Sequence, residues 1–421
     1  MFQRLGGLPA ADPVRSTFGI CVLIVLLAGC GVRDNGTVPA AAAHPVVGSM
    51  ASSYQVLHRF GGADGAMPEG RLFEDRWLYG TTRTGGAYDR GTFYRITAAT
   101  GEEKVLYSFG RGSDGAKPES GLAEANGVFY GTTQDGGTSH QGTVYSMRVL
   151  VRGVGEEAVL HSFTGNADGA FPLGRVVNVN GTLYGTTFTG GKFGDGTVYS
   201  ITTSGMLTVL HSFAGGSDGA GSYSSLIEAN GILYGTTASG GSGCPSLNAG
   251  GCGTVYSVST AGVEKVLHSF TGGSDGAYPY AGLTEVNGTM YGTTLNGGGA
   301  CTSSDDGCGT VFSVTPAGTE TVLHRFDRGD GDSIYAGLTA VNGTLYGAAY
   351  GGGAFGRGLV YSMSMAGAEK VLHTYRTDAN GSGPHAAPID VKGTLYGTTD
   401  TGGGSGCKNF SGCGTVYALT P

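Results

Sequence analysis

From about residue 54 onward, short apolar and aromatic runs alternate with glycine-rich polar stretches in a fixed order. Around residue 290 the run 282–286 ends on Asn287-Gly288, the dipeptide best able to supply the two positive φ angles of a two-residue hairpin turn. The run 289–294 follows, then a glycine-rich loop, the run 309–314, the link Pro316-Ala317-Gly318 and the run 321–326. Valine, threonine and aromatic residues dominate all four runs, as a pleated, half-buried surface prefers. Each is predicted to be a strand.

The unit recurs. Tyr79, Tyr130, Tyr184, Tyr234, Tyr291, Tyr346 and Tyr396 hold the same place in it, at spacings of 51, 54, 50, 57, 55 and 50 residues. Four strands every fifty-odd residues describe a propeller blade; a β-helix needs shorter coils, and an open solenoid needs atypical end repeats. The ends instead complement each other: the chain opens on a lone fourth strand, 55–60, and stops after a third strand, 414–419. The expected fold is therefore all-β, a seven-bladed β-propeller over residues 53–421. The N-terminal strand is expected to complete the last blade and leave no open sheet edge.

In order, Leu-Tyr-Gly-Thr-Thr, Gly-Gly, Gly-Thr-Val-Tyr, Val-Leu-His-Ser-Phe and Ser-Asp-Gly-Ala resemble the GloVer tandem repeats of bacterial surface proteins with varied anchors, the choice-of-anchor family. The strand and Gly-Gly rhythm is also similar, more loosely, to kelch propellers. The resemblance implies fold and surface location, and no reaction or ligand.

Composition agrees with this outline. Glycine contributes 83 residues and charged groups only 13%, while 39% is hydrophobic, so the chain is rich in turns yet can build a core. Long helices are not expected, because each interior glycine costs roughly 1 kcal/mol against alanine. A net charge of −8 carries no basic footprint for nucleic acid.

At the amino terminus, Arg4 and Arg15 precede the apolar run 18–27, which is shorter than the about 20 residues of a membrane span and suits a signal-peptide core. It ends in Leu27-Ala28-Gly29-Cys30, which resembles the bacterial lipobox. The resemblance implies removal of residues 1–29 and a lipid on Cys30 that makes the membrane a partner. An ordinary signal peptide with an incidental cysteine is the alternative. Gly31 in place of Asp implies the outer membrane where the organism has one. Residues 30–52 read as the lipidated cysteine and a flexible tether.

Strand alternation puts the second-to-third and fourth-to-first loops on one face, which is where a ligand is sought. The three longest second-to-third loops hold the pairs Cys244 and Cys252, Cys301 and Cys308, and Cys407 and Cys413. Local disulfides are expected, since the spacings do not match the short clamps of zinc sites. A ring of Asp residues (Asp64, Asp114, Asp168, Asp218, Asp275 and Asp330) suggests turns, with calcium as the lesser reading. His58, His161, His211, His268, His324 and His373 recur in the fourth strand, with Tyr107 in the remaining repeat, and suit side-chain packing plus one hydrogen bond better than metal binding. No cofactor is implied.

A functional site should break the repetition. The residues preceding each first strand do so: Glu69, Glu119, Leu173, Tyr223, Tyr280, Tyr335 and His385. Tyr223, Tyr280 and Tyr335 are candidates to stack on a sugar or peptide. Glu69, Glu119 and His385 are candidates for proton transfer, against a plain reading as solvent-exposed channel rim. The overall expectation is a monomeric envelope module binding protein or glycan. The alternatives are a polysaccharide-active hydrolase or lyase, and a structural surface-layer component.

Overall fold

The computed structural model describes residues 52–244, 250–299, 307–376, 378–404, 407 and 412–421. Cys30, the leader and all but the last residue of the tether lie outside them. Seven four-stranded antiparallel sheets form the blades of a propeller. Their innermost strands, numbering blades 1 to 7, are Phe73–Asp75, Ala123–Ala125, Val177–Val179, Ile227–Ala229, Thr284–Val286, Thr339–Val341 and Ile389–Val391. Blade 5 continues through Thr289–Thr294, Thr310–Val314 and Glu320–Arg325. Its first strand is two residues shorter at its start than the apolar pattern predicts. Near the axis, a Cβ on Gly282 would lie 2.8 Å from the Ser225 carbonyl of blade 4, so this segment packs on its neighbour instead of pairing within its own sheet.

Asn287 and Gly288 take φ of 52° and 80°, as a primed hairpin turn requires. In blade 1 a single residue, Arg76 at φ 59°, makes the turn.

The repeated Tyr-Gly-Thr-Thr is a packing device. Each third strand carries a fully buried aromatic side chain, such as Tyr199, which meets at 5.3 Å the Phe163 ring closing the fourth strand of the preceding blade. That aromatic lies over the glycine of the second strand: a Cβ on Gly185 would sit 2.4 Å from the Tyr199 hydroxyl. The first threonine ties blades together, as Thr186 Oγ1 donates to the Ser224 carbonyl at 3.0 Å. The second ties strands, as Thr187 Oγ1 meets Thr197 Oγ1 at 2.9 Å.

The recurring Asp and His form one unit. Asp218 accepts the Ala214 N–H within its own turn at 2.7 Å, and His211 Nε2 at 3.1 Å. The same pairing joins His58 to Asp64, His161 to Asp168 and His324 to Asp330, and Tyr107 donates to Asp114 at 2.7 Å. Each pair stays in its own inter-blade crevice, so the histidines do not converge.

Ser53–Arg59 pairs antiparallel with Thr415–Thr420, making the last sheet from both chain ends. Cys244–Cys252 and Cys407–Cys413 are disulfides. Cys308 is also disulfide-bonded, and its expected partner Cys301 lies outside the described residues.

Candidate functional site

Three positions of each repeat carry unlike residues and cluster at the axis. Four residues before each three-residue first strand stand Glu69, Glu119, Leu173, Tyr223, Tyr280, Tyr335 and His385. Directly after the Tyr-Gly-Thr-Thr segment stand Arg83, Gln134, Phe188, Ala238, Leu295, Tyr350 and Asp400. Two residues before the first strand stand Arg71, Gly121, Arg175, Ser225, Gly282, Gly337 and Ala387. Members of all three sets line one cavity of about 600 Å³, and it holds every candidate picked from the sequence: Glu69, Glu119, His385, Tyr223, Tyr280 and Tyr335.

Backbone geometry brings the first two sets together. In each blade a residue with positive φ, such as Met67 or Ser333, turns the chain toward the axis, and its carbonyl accepts the N–H of the second-set residue. Arg83 N–H donates to Met67 O at 2.9 Å, and Asp400 N–H to Gly383 O at 3.0 Å.

One sector is ionic. Arg83 Nε lies 2.5 Å from Glu119 Oε1, and its Nη1 lies 3.5 Å from Glu69 Oε1. Asp400 is only 6% exposed, and its Oδ1 has no hydrogen-bond partner among the described residues. Three carboxyl groups thus share one guanidinium. Burial, reinforced by Asp400 and Glu119, pushes the Glu69 pKa up to about 8. Burial also raises Asp400 to about 6 despite Arg83, and raises Glu119. His385 is pushed down to about 4, by burial and then by Arg83, so it is neutral at pH 7.

The remaining rim is aromatic. Phe188 meets Tyr223 at 4.5 Å, Tyr223 meets Tyr280 at 4.5 Å, and Tyr280 meets Tyr335 at 5.9 Å between ring centroids. Tyr335 stacks on His385 at 4.9 Å and touches Tyr350 at 5.5 Å. Burial holds Tyr280 up at about 12, so its hydroxyl remains a donor. These side chains are half-buried and in mutual contact, which corrects the reading of a simple exposed rim.

Arg83, Phe188, Tyr350 and Asp400 escaped the sequence reading, as did Arg71 and Arg175. The signal was available: the letter after Tyr-Gly-Thr-Thr, or after Tyr-Gly-Ala-Ala in blade 6, is different in all seven repeats.

Elsewhere, His58, Asp64 and Glu103, and likewise His211, Asp218 and Glu264, place their ligand atoms within 4.8 Å of one another. A nitrogen with two carboxylates suits a transition metal better than calcium, which wants six to eight oxygens. The Asp ring does not gather into one calcium cage, because each side chain is committed to its own turn and to the nearby histidine or, for Asp114, Tyr107.

A family model described as the Gloeobacter/Verrucomicrobia repeat matches residues 29–150, 148–302 and 299–421. No curated protein matches the sequence. Among solved structures, the chain is similar to the extracellular domain of a protein described as a hybrid two-component system of B. thetaiotaomicron, with a TM-score of 0.55 and 11% identity over 87% of this chain and 39% of that one. It is also similar to a GH74 xyloglucanase of Xanthomonas campestris, with a TM-score of 0.52 and 15% identity over 83% of this chain and 53% of that one. An oligogalacturonate lyase of Vibrio parahaemolyticus gives a TM-score of 0.50 and 10% identity over 88% and 97% of the two chains. The chain therefore spans well under two thirds of the first two. At such identities the likeness carries the propeller fold alone.

Proposed function

We propose that this chain, which belongs to the Gloeobacter/Verrucomicrobia repeat family, is a monomeric binding module of a bacterial envelope whose axial cavity takes a glycan. A lipid on Cys30 holds it at the membrane, the outer membrane where there is one. The observation that carries the glycan reading is the aromatic arc of Tyr223, Tyr280, Tyr335 and Tyr350, which lines one cavity with a carboxyl cluster. Aromatic faces stack on the apolar faces of sugar rings, while carboxylates and phenols bond the hydroxyls.

A glycan array probed with the propeller, residues 53–421, tests it. Binding is expected, and Tyr280→Ala in the middle of the arc should weaken it at least tenfold. Binding unchanged by Tyr280→Ala and Tyr335→Ala, or a protein ligand alone, overturns this reading.

A second reading is hydrolysis or elimination on the same glycan, favoured by Glu69, held up at about 8, beside Glu119 on Arg83. A carboxyl group that keeps its proton, next to a second carboxyl paired with a guanidinium, is the arrangement such chemistry draws on. Appearance of new reducing ends, lost in both Glu69→Gln and Glu119→Gln, would establish it. Glycan binding without turnover leaves the module reading in place.

A further inference from the structure

Arg71 and Arg175 are the exceptions in the third set of axial residues. The other five blades place Gly121, Ser225, Gly282, Gly337 and Ala387 there, so blades 1 and 3 alone send long cations into the floor of the cavity. The two side chains come together over the small residue between them: a Cβ on Gly121 would lie 3.3 Å from Arg175 Cδ and 3.4 Å from Arg71 Cβ. Both also line a second cavity of about 220 Å³, together with Glu74 and Asp390.

Neither guanidinium has a carboxylate partner among the described residues. Arg71 Nη2 donates to Thr339 Oγ1 at 2.9 Å, and Arg175 Nη1 to the Leu122 carbonyl at 3.4 Å. Arg71 Nε is buried with no acceptor. Desolvation pulls Arg71 down to about 10, with Arg175 adding repulsion, and desolvation alone lowers Arg175. Arg83 shows the contrast, being raised by its carboxylate neighbours. Two like charges held together away from bulk water without a counter-charge are unfavourable unless an anion completes the site. A planar fork of N–H donors fits a carboxylate or other oxyanion in bidentate fashion.

We infer that Arg71 and Arg175 form an oxyanion site at the floor of the axial cavity, and that the glycan taken there is an acidic sugar whose carboxylate they bind. The second half rests on the glycan reading above; the first does not. The sugar ring lies against the aromatic arc and its carboxylate reaches down to the two guanidiniums. The carboxyl cluster does not forbid this. With Glu69 protonated at pH 7, Arg83 answers Glu119 and Asp400 within the cavity, and Glu74 and Asp390, which line the second cavity with Arg71 and Arg175, form no ion pair with either.

Two measurements separate the two halves. Thermal shift with sulfate at constant ionic strength probes the anion site: sulfate should raise the melting temperature of the wild type and not that of Arg71→Gln/Arg175→Gln. Removing the mutual repulsion should leave that variant folded, which its own melting curve checks. Calorimetry then compares a β-1,4-linked glucuronate trimer with cellotriose, which differs only in lacking the carboxylates. The uronate is expected to bind at least tenfold tighter, with the preference abolished in the double variant and both sugars weakened by Tyr280→Ala. Equal sulfate shifts in wild type and variant overturn the oxyanion site. Equal binding of the two trimers overturns the acidic-sugar assignment and leaves the glycan reading standing. A sulfate effect lost in the variant, with neither trimer bound, keeps the anion site and removes the glycan.

Discussion

Tyr54 lies flat on His373, with ring centroids 3.7 Å apart and planes within 5° of parallel, and this contact joins the N-terminal strand to blade 6. Tyr54 takes the place that Glu103, Glu157, Glu264, Glu320 and Glu369 hold in other blades, four residues before the fourth-strand His or Tyr107. Its hydroxyl donates to Asn380 O at 2.6 Å, and Asn380 in turn replaces the usual Asp. The closing crevice is thus built without its carboxylates, and His373 is held neutral there, its pKa lowered to about 4 by burial.

Tyr54→Ala should therefore destabilise the propeller by at least about 2 kcal/mol, somewhat under the cost of emptying a fully buried aromatic site, because the ring is partly buried against Tyr375 and Tyr417. Urea denaturation measures it. A loss under about 1 kcal/mol would show that ring closure does not depend on this contact.

Stability should fall as pH rises from about 5.5 to 8. Burial raises Glu103, Glu157, Glu264 and Glu369 from 4.5 to about 7 in the folded chain. Their contribution is complete below pH 4.5 and is lost as pH climbs through about 7, because the unfolded chain releases those protons first. Glu69 acts in the same direction. His373 and His385 act oppositely: lowered from 6.5 to about 4, they stabilise above pH 6.5 and cease to as pH falls towards 4. Melting temperatures across this range should show the decline, and Gln at the four outer glutamates should at least halve it. An undiminished decline in that variant assigns the effect elsewhere.

Gly185→Ala should cost at least about 2 kcal/mol, because the new methyl collides with a fully buried ring in a core that cannot shift. By contrast, Tyr199→Phe should be neutral or stabilising by up to about 1 kcal/mol, since the hydroxyl it removes is buried without a partner. Chemical denaturation of both variants distinguishes steric from polar effects at this site.

Replacing Cys244 and Cys252 with serine should lower stability by about 2–3 kcal/mol, the closure entropy of so short a loop. Peptide mapping under non-reducing conditions should recover Cys244 linked to Cys252 and Cys407 linked to Cys413. Equal melting of the oxidised and reduced protein would make the staples irrelevant to the fold.

Arg83→Met removes the cation that pairs with Glu69 and Glu119 and acts on Asp400. The melting temperature should drop more at pH 8 than at pH 5, where protons replace the guanidinium. The same drop at both values would mean that Arg83 acts through its shape.

The repetition made the fold legible. Strand periodicity, Asn-Gly turns and complementary ends are local or counted along the chain, so blade number and closure follow from them. Residues 223, 280, 335 and 385 could be singled out because each stands where a repeat should have been uniform. The Asp–His unit was legible only as two separate columns, since the turn that joins them is a matter of three-dimensional geometry. Arg71, Arg83, Arg175 and Asp400 lie far apart in the chain and meet only because seven blades converge on one axis. Periodicity encodes which face a side chain takes within its own blade; burial, counter-charge and distance across the channel arise from closure, and closure decides that Glu69 keeps its proton while Arg71 and Arg175 form no ion pair with a carboxylate among the described residues.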